Sequence, residues 1–234
     1  MTFYKTISHY YDQIFPVKEE VCQFIRNGRK KLKVLDVACG NGGYLNRLST
    51  HGFYGFGIDL DHEMVHIANL ASNTEKVDFY QMDMLEIDTF KGRSFDMIYS
   101  IGNSIVHLQN EAQMEEFVQK AYQLLKPKGE ILLQIINYDR ILDQHIPNLP
   151  TIVNGTLSME RNYKYVAPYI HFQTILNVDN QSFENEVTLL PLRSDALIKM
   201  ITRAGFKKIE CYGDFQKSPF QKETSMHFIL RAYK

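Results

Sequence analysis

Val34-Leu35-Asp36-Val37-Ala38-Cys39-Gly40-Asn41-Gly42-Gly43 decides the fold, because an apolar strand pattern runs straight into a glycine-rich turn. A helix pattern follows at once, with Tyr44, Leu45 and Leu48 at its apolar positions. Strand, tight turn and helix in that order bring bare backbone up to a ligand. Glycine has no side chain in the way, and the first amides of a helix carry partial positive charge. Working outward, Tyr54-Gly55-Phe56-Gly57-Ile58 reads as a second strand ending on Asp59. Val77-Asp78-Phe79-Tyr80-Gln81-Met82 reads as a third, ending on Asp83. With Asp36, one carboxylate falls at the end of each of three successive strands, which outlines a nucleoside-shaped site.

The rest of the chain extends the same alternation. Residues 7 to 27 read as helical, split by Pro16, and Asp61 can cap a helix whose apolar stripe is Met64, Ile67, Ala68 and Ala71. Strand four is Phe95 to Ser100, followed by a periodic helix (Met114, Phe117, Val118, Ala121, Leu125) that Pro127 and Gly129 stop. Strand five, Glu130 to Ile136, is apolar enough to be buried on both faces. Strands alternating with helices specify an α/β fold with a doubly wound, mostly parallel sheet, which binds ligands outside the carboxyl ends of its strands. From about residue 150 the grammar changes. Asn154-Gly155 is a hairpin signal, residues 169 to 179 alternate between apolar and polar, and Glu186 to Leu192 reads as another strand. This marks an antiparallel inset over 150–190, set into a main domain of 1–149 and 191–234. Ser194 then caps a helix ended by Gly205, and Phe206 to Tyr212 and Met226 to Tyr233 complete seven strands in the main sheet.

Bulk properties narrow the partners. The 234-residue chain is 44% hydrophobic and 23% charged, with a formal net charge of −1. No global field recruits nucleic acid or an anionic membrane. The basic run Arg26 to Lys33 reads as a solvated helix end. Cys22, Cys39 and Cys211 lack metal-ligand spacing and read as reduced thiols, with Cys39 a small packing residue in the turn. Met1 to Thr6 lacks the apolar core of a signal peptide, and nothing approaches the ~20 apolar residues of a membrane span. The expectation is a cytoplasmic protein with no metal, membrane or nucleic-acid partner. Its oligomeric state is not legible.

These residues resemble the class I S-adenosylmethionine-dependent methyltransferases, along nearly the whole chain. Val34 to Gly43, Gly57 to Asp61, Met82-Asp83-Met84 and Leu124 to Gly129 carry the likeness. Ile101 to Leu108, Asn137-Tyr138-Asp139 and Gly213-Asp214-Phe215 are similar to the small-molecule N-methyltransferases of glycine/sarcosine and amino-sugar type, in which an inset after strand five forms a lid. The resemblance implies a Rossmann-like methyltransferase fold, with S-adenosylmethionine as cofactor, S-adenosylhomocysteine as product and a small acceptor, most simply an amine. It implies that Ala38, Gly40, Asn41 and Gly42 seat the methionine part and that Asp36 supports that turn. Asp59 would take the ribose hydroxyls and Asp83 the adenine amino group. Leu60, Met64 and Met84 would flank the ring, Ser100 and Ile101 would line the cofactor, and Tyr11 would close over the sulfonium. Asn103 and His107 join Tyr11 as catalytic candidates, and Asn103, Asn137 and Tyr138 are substrate-binding candidates. One departure stands out: the arginine that clamps a substrate carboxylate in glycine N-methyltransferases, just before the Asn-Tyr-Asp run, is here Ile136.

The turn does not fit a nicotinamide fingerprint, because its third glycine position is Leu45. Asp36 before the turn and Asp83 after strand three favour the methyl donor. Oxygen or carbon methylation and a catalytically silent cofactor-binding regulator are the alternatives. His107 reads as a base for an amine or as a structural histidine, and Asp139 as a cap. Tyr163, Tyr165 and Tyr169 read as packing residues or as an aromatic cage.

Overall fold

β1 (Lys33–Val37) and β4 (Phe95–Ser100) lie side by side at the centre of a seven-stranded sheet, and the winding reverses between them. The computed structural model describes residues 3–72 and 74–234, so the Met1-Thr2 part of the signal-peptide reading lies outside the described residues. On one side of β1 come β2 (Tyr54–Asp59) and β3 (Val77–Gln81); beyond β4 come β5 (Leu125–Ile136), β11 (His227–Tyr233) and β10 (Lys207–Tyr212). β11 runs antiparallel to both its neighbours, and every other pairing is parallel. The reversal opens a crevice at the carboxyl ends of β1 and β4, where doubly wound sheets bind ligands.

Helices α2 (Glu19–Arg26), α3 (Gly43–Ser49) and α4 (His62–Ala71) cover one face, while α5 (Glu111–Leu124) and α7 (Ser194–Ala204) cover the other. Alternation along β1 sorts its side chains. Leu35 and Val37 enter the α5/α7 core, and Val34 enters the α2/α3/α4 core. α5 stops at Leu124, short of Pro127, because the residue before a proline is driven out of helical geometry; β5 has already begun.

The second sheet is a four-stranded antiparallel meander of β6 (Asn148–Asn154), β7 (Leu157–Val166), β8 (Tyr169–Val178) and β9 (Gln181–Leu189). Gly155 turns the first hairpin at φ +59°, and Asp179 and Asn180 turn the last at +51° and +59°. One end of its inner face packs Leu157, Met159, Leu176 and Val178 against Met64 and against Ile7 and Ile14 of α1 (Phe3–Ile14). At the other end, Tyr163, Ile170 and Leu189 join the main core beside Tyr138 of α6 (Tyr138–Asp143). The meander therefore stands over the carboxyl ends of the large sheet, tied at both ends. Among the described residues, no helix is long and apolar enough to cross a membrane.

One cap differs from expectation. Ser194 is the first residue inside α7 and its buried hydroxyl has no partner. The buried Asp139 caps α7 instead, its carboxylate accepting from the Ser194 amide at 3.0 Å. We expect Asp139→Ala to cost about 1–2 kcal/mol in urea denaturation, the usual loss for a helix cap, and Ser194→Ala to be nearly neutral.

Candidate functional site

The glycine-rich turn is shaped by one carboxylate. Asp59, at the end of β2, accepts from the Gly40 amide at 2.7 Å with one oxygen and from the Asp61 amide at 3.0 Å with the other. The Cys39 amide donates to the Ile58 carbonyl at 2.9 Å, which stitches the turn to the same strand. Ala38 is held at φ +59°, a left-handed conformation that costs an alanine about 1–2 kcal/mol and persists where its surroundings enforce it. Gly42 lies at φ +72°, and a Cβ there would stand 2.6 Å from the Phe79 ring. No other residue fits.

Asp36 lies one strand over, opposite Gly57 on β2 and Tyr99 on β4. It is 2% exposed and accepts from the Tyr99 hydroxyl at 2.9 Å. Burial pushes its pKa up to about 8; the Tyr99 bond opposes this, and the nearby Asp59 charge adds to it. Burial also raises Asp59, against the pull of its backbone partners. Two acids in mutual electrostatic reach therefore face the turn, each short of a cation.

Tyr11 of α1 closes over them. Its hydroxyl would be 3.0 Å from a Cβ on Gly40, so only glycine leaves room for the ring. Burial first, then the Asp59 charge, hold its phenol well above the ordinary value, so it is a neutral hydroxyl. Asn41, 8% exposed, fixes this lid helix from below by donating to Asp12 Oδ1 at 2.7 Å. From the side, Tyr10 donates to Asp179 Oδ2 in the β8–β9 turn at 2.8 Å. The sequence reading missed both ties, since neither partner pair is close in sequence.

Asp83 follows β3 and caps the 3₁₀ turn Met84–Phe90, one oxygen accepting from the Leu85 amide at 2.8 Å, with Glu86 completing a capping box. Leu60, beside Asp59, is 69% exposed, an apolar surface free to meet a flat ring. Met84 is partly buried against the main core. Met64 has a different setting from the one expected, since it is taken up in the cluster between α1 and the meander. Ser100, at the end of β4, is buried with an unpartnered hydroxyl, and Ile101 packs beside it.

The loop that follows β4 is tied to β5. The Gly102 amide donates to Gln134 Oε1 at 2.7 Å, and Asn103, at φ +72°, accepts from the Ile136 amide at 3.0 Å. Asn103 also donates to the Tyr138 hydroxyl at 2.9 Å, so the two substrate candidates hold each other. Asn137 must be withdrawn from that set. It is buried, its Nδ2 donates to the Lys222 and Ser225 carbonyls at 2.9 Å, and its Oδ1 caps α6. His107 is exposed, makes no hydrogen bond among the described residues and is crowded enough that desolvation lowers its pKa. The three inset tyrosines do not converge: Tyr163 packs on Phe172, Tyr165 donates to the Ile141 and Ile146 carbonyls, and Tyr169 donates to the Gln109 carbonyl.

A wound sheet with an acid-lined glycine turn defines a nucleoside-cofactor-binding α/β enzyme. Which cofactor is decided by charge. A dinucleotide lays its pyrophosphate on the free amides of such a turn, but here the Asp59 carboxylate already occupies the Gly40 amide and stands where a phosphate would lie. The Asp36–Asp59 pair, a cradle closed to any Cβ, and the orphaned Ser100 hydroxyl suit a cationic adenosyl group.

Comparison with known proteins agrees. A family model described as a methyltransferase domain matches residues 34–129. The glycine/sarcosine N-methyltransferase of Halorhodospira halochloris is 29% identical, over 93% of this chain and 81% of that protein. An S-adenosylmethionine-dependent methyltransferase from Clostridium acetobutylicum superposes with a TM-score of 0.82 at 17% identity, covering 98% of each chain. A sugar N-methyltransferase from Streptoalloteichus does so at 0.71 and 16%, covering 99% and 92%. Residues 34–129 match a methyltransferase domain, and the relatives and solved structures together support a class I S-adenosylmethionine-dependent methyltransferase.

Proposed function

We propose that the protein transfers the methyl group of S-adenosylmethionine to a small acceptor, an amine, in a pocket closed by α1 and the antiparallel sheet over 150–190. The observation that carries this reading is the meander tied down over the carboxyl rim through Tyr10–Asp179 and the Leu157/Met159 cluster. A roof so near Gly40 and Asn103 suits a metabolite rather than a macromolecular chain. The names of the Halorhodospira and Streptoalloteichus proteins, both N-methyltransferases of small molecules, support the same acceptor chemistry.

S-adenosylmethionine supplies an already activated methyl on a sulfonium, so the residues of this chain need mainly to align and shield. Alignment alone is worth up to ~7–11 kcal/mol in favourable cases. Asp59 and Asp83 are assigned to the adenosine, Ala38 to Gly42 to the amino-acid part, and Tyr11 to the reacting centre. The neutral Tyr11 hydroxyl and the Asn103 amide bring no fixed charge to it, which tolerates positive charge passing to the acceptor. An amine must lose its proton first, and His107, with its pKa held below the usual histidine value, is uncharged at pH 7 and able to accept it.

The test is calorimetry with S-adenosylmethionine and S-adenosylhomocysteine, followed by a screen of small amines, amino sugars and alcohols for S-adenosylhomocysteine release. Turnover of alcohols alone would discard the amine. His107→Gln is expected to lower kcat by about 100-fold, with cofactor affinity unchanged, and to abolish the rise in kcat that accompanies loss of the parent's imidazole proton below the ordinary histidine range. A pH–rate profile identical to the parent's would remove His107 from the chemistry.

A further inference from the structure

The inner face of the meander is not uniformly apolar. Strand register places its side chains in rows running across β7, β8 and β9: Met159–Leu176–Phe183 on one side and Tyr163–Phe172–Val187 on the other. Between them runs a polar row, Arg161–Thr174–Asn185. Residues of both flanking rows pack against α1 or the main core, so the polar row is the strip of roof left above the cleft.

Two of its members, Thr174 and Arg161, keep polar atoms that the fold does not use. Thr174 is 5% exposed, and its hydroxyl has no partner. Arg161 makes no ion pair among the described residues; one Nη donates to the Pro150 carbonyl, and Nε is buried and unpaired. The face holds no carboxylate to balance it, since Glu160, Glu184 and Glu186 alternate onto the outer side. Across the cleft stands His227, at the start of β11 opposite Ile136, within electrostatic reach of both Arg161 and Lys18. Gln134 Nε2 lies 3.3 Å from its Nδ1, and Phe215 and Asp214 flank it. A half-buried guanidinium between apolar rows, with one donor unpaired, is a ready partner for an anion.

We propose that Arg161 and Thr174 form the anion subsite of the acceptor, so that the methylated molecule carries a carboxylate held from the roof. This rests on the small-amine reading and sharpens it to amino acids. The charge balance favours a carboxylate over a phosphate, because one guanidinium matches one negative charge and its fork takes both oxygens. Ile136, just before the Asn137 turn, packs into the main core and offers no cation there, so the roof is the side that supplies one.

The experiment uses the full chain saturated with S-adenosylhomocysteine. Glycine, β-alanine and γ-aminobutyrate are titrated calorimetrically against ethylamine, phosphoethanolamine and acetate, in the parent, Arg161→Gln and Arg161→Lys. In parallel, the His227 imidazole is followed by NMR as acetate is added. The expected result is that at least one carboxylate binds. Arg161→Gln weakens it 10- to 100-fold and Arg161→Lys by less, while S-adenosylhomocysteine affinity and thermal midpoint stay unchanged. Acetate should shift His227 in the parent but not in Arg161→Gln. An equal loss for ethylamine and the amino acids overturns the proposal, as does phosphoethanolamine being the ligand that depends on Arg161. It also fails if no carboxylate binds or moves His227. Because acetate carries no amine, its response tests the subsite separately from the acceptor nitrogen; methylation of ethylamine without any Arg161 effect would keep the amine and discard the subsite.

Discussion

Asp59→Ala is expected to weaken S-adenosylmethionine and S-adenosylhomocysteine binding by about 100- to 1000-fold in calorimetry. Two charge-assisted bonds to a ribose diol, at roughly 1.5–3 kcal/mol each, account for a loss of that order. The substitution also releases the Gly40 amide, now bound at 2.7 Å, and with it the turn on which the amino-acid part of the cofactor would rest. Asp59→Asn separates the two effects. An amide oxygen can still accept from Gly40 but cannot offer a charged acceptor to both hydroxyls, so about a 10- to 30-fold loss is expected. NADH is the control ligand. Unchanged cofactor affinity in both variants would break the assignment of the rim, and NADH binding with micromolar affinity would replace it.

Much of this rim was legible because it is local. Asp36, Asp59 and Asp83 each follow a short apolar run, and strand ends in a wound sheet converge whatever lies between them in sequence. The turn was legible for the same reason: Gly40 and Gly42 are needed where the Tyr11 ring and Phe79 leave no space for a Cβ. What sequence did not reveal depends on long-range pairing. Asn137 looked like a substrate ligand and is spent on carbonyls about 85 residues away. Asp139 caps a helix that begins 55 residues later, which made Ser194 look like the cap. Arg161 lies in a strand that the sequence did not single out, and its place beside the orphaned Thr174 depends on the β7–β8 pairing. Its place above the cleft depends on how α1 and α6 anchor the sheet. Local pattern fixes which face a side chain takes; only packing fixes what that face meets.

Asp36→Asn should uncouple cofactor binding from a proton. In the free protein Asp36 titrates near 8, against roughly 3.9 when unfolded. The folded state therefore binds more protons than the unfolded state between about pH 4 and pH 8. The contribution of this group to stability is greatest below pH 4, falls as pH rises and levels off above 8. Urea midpoints at pH 5, 7 and 9 should show that decline in the parent and a flatter trend in Asp36→Asn. The slope is the informative quantity, because the amide introduces a buried donor of its own. A cation brought against the Asp36–Asp59 pair favours the ionised carboxylate, so binding at pH 7 expels the Asp36 proton. Calorimetric enthalpies of S-adenosylmethionine binding should then depend on the ionisation enthalpy of the buffer, with up to one proton released. Affinity should tighten by up to tenfold per pH unit towards pH 8. Neither effect is expected in Asp36→Asn. Binding without proton release in the parent would mean that the ammonium and sulfonium lie too far from this carboxylate to feel it, and that Asp36 serves only to brace Tyr99 and the turn.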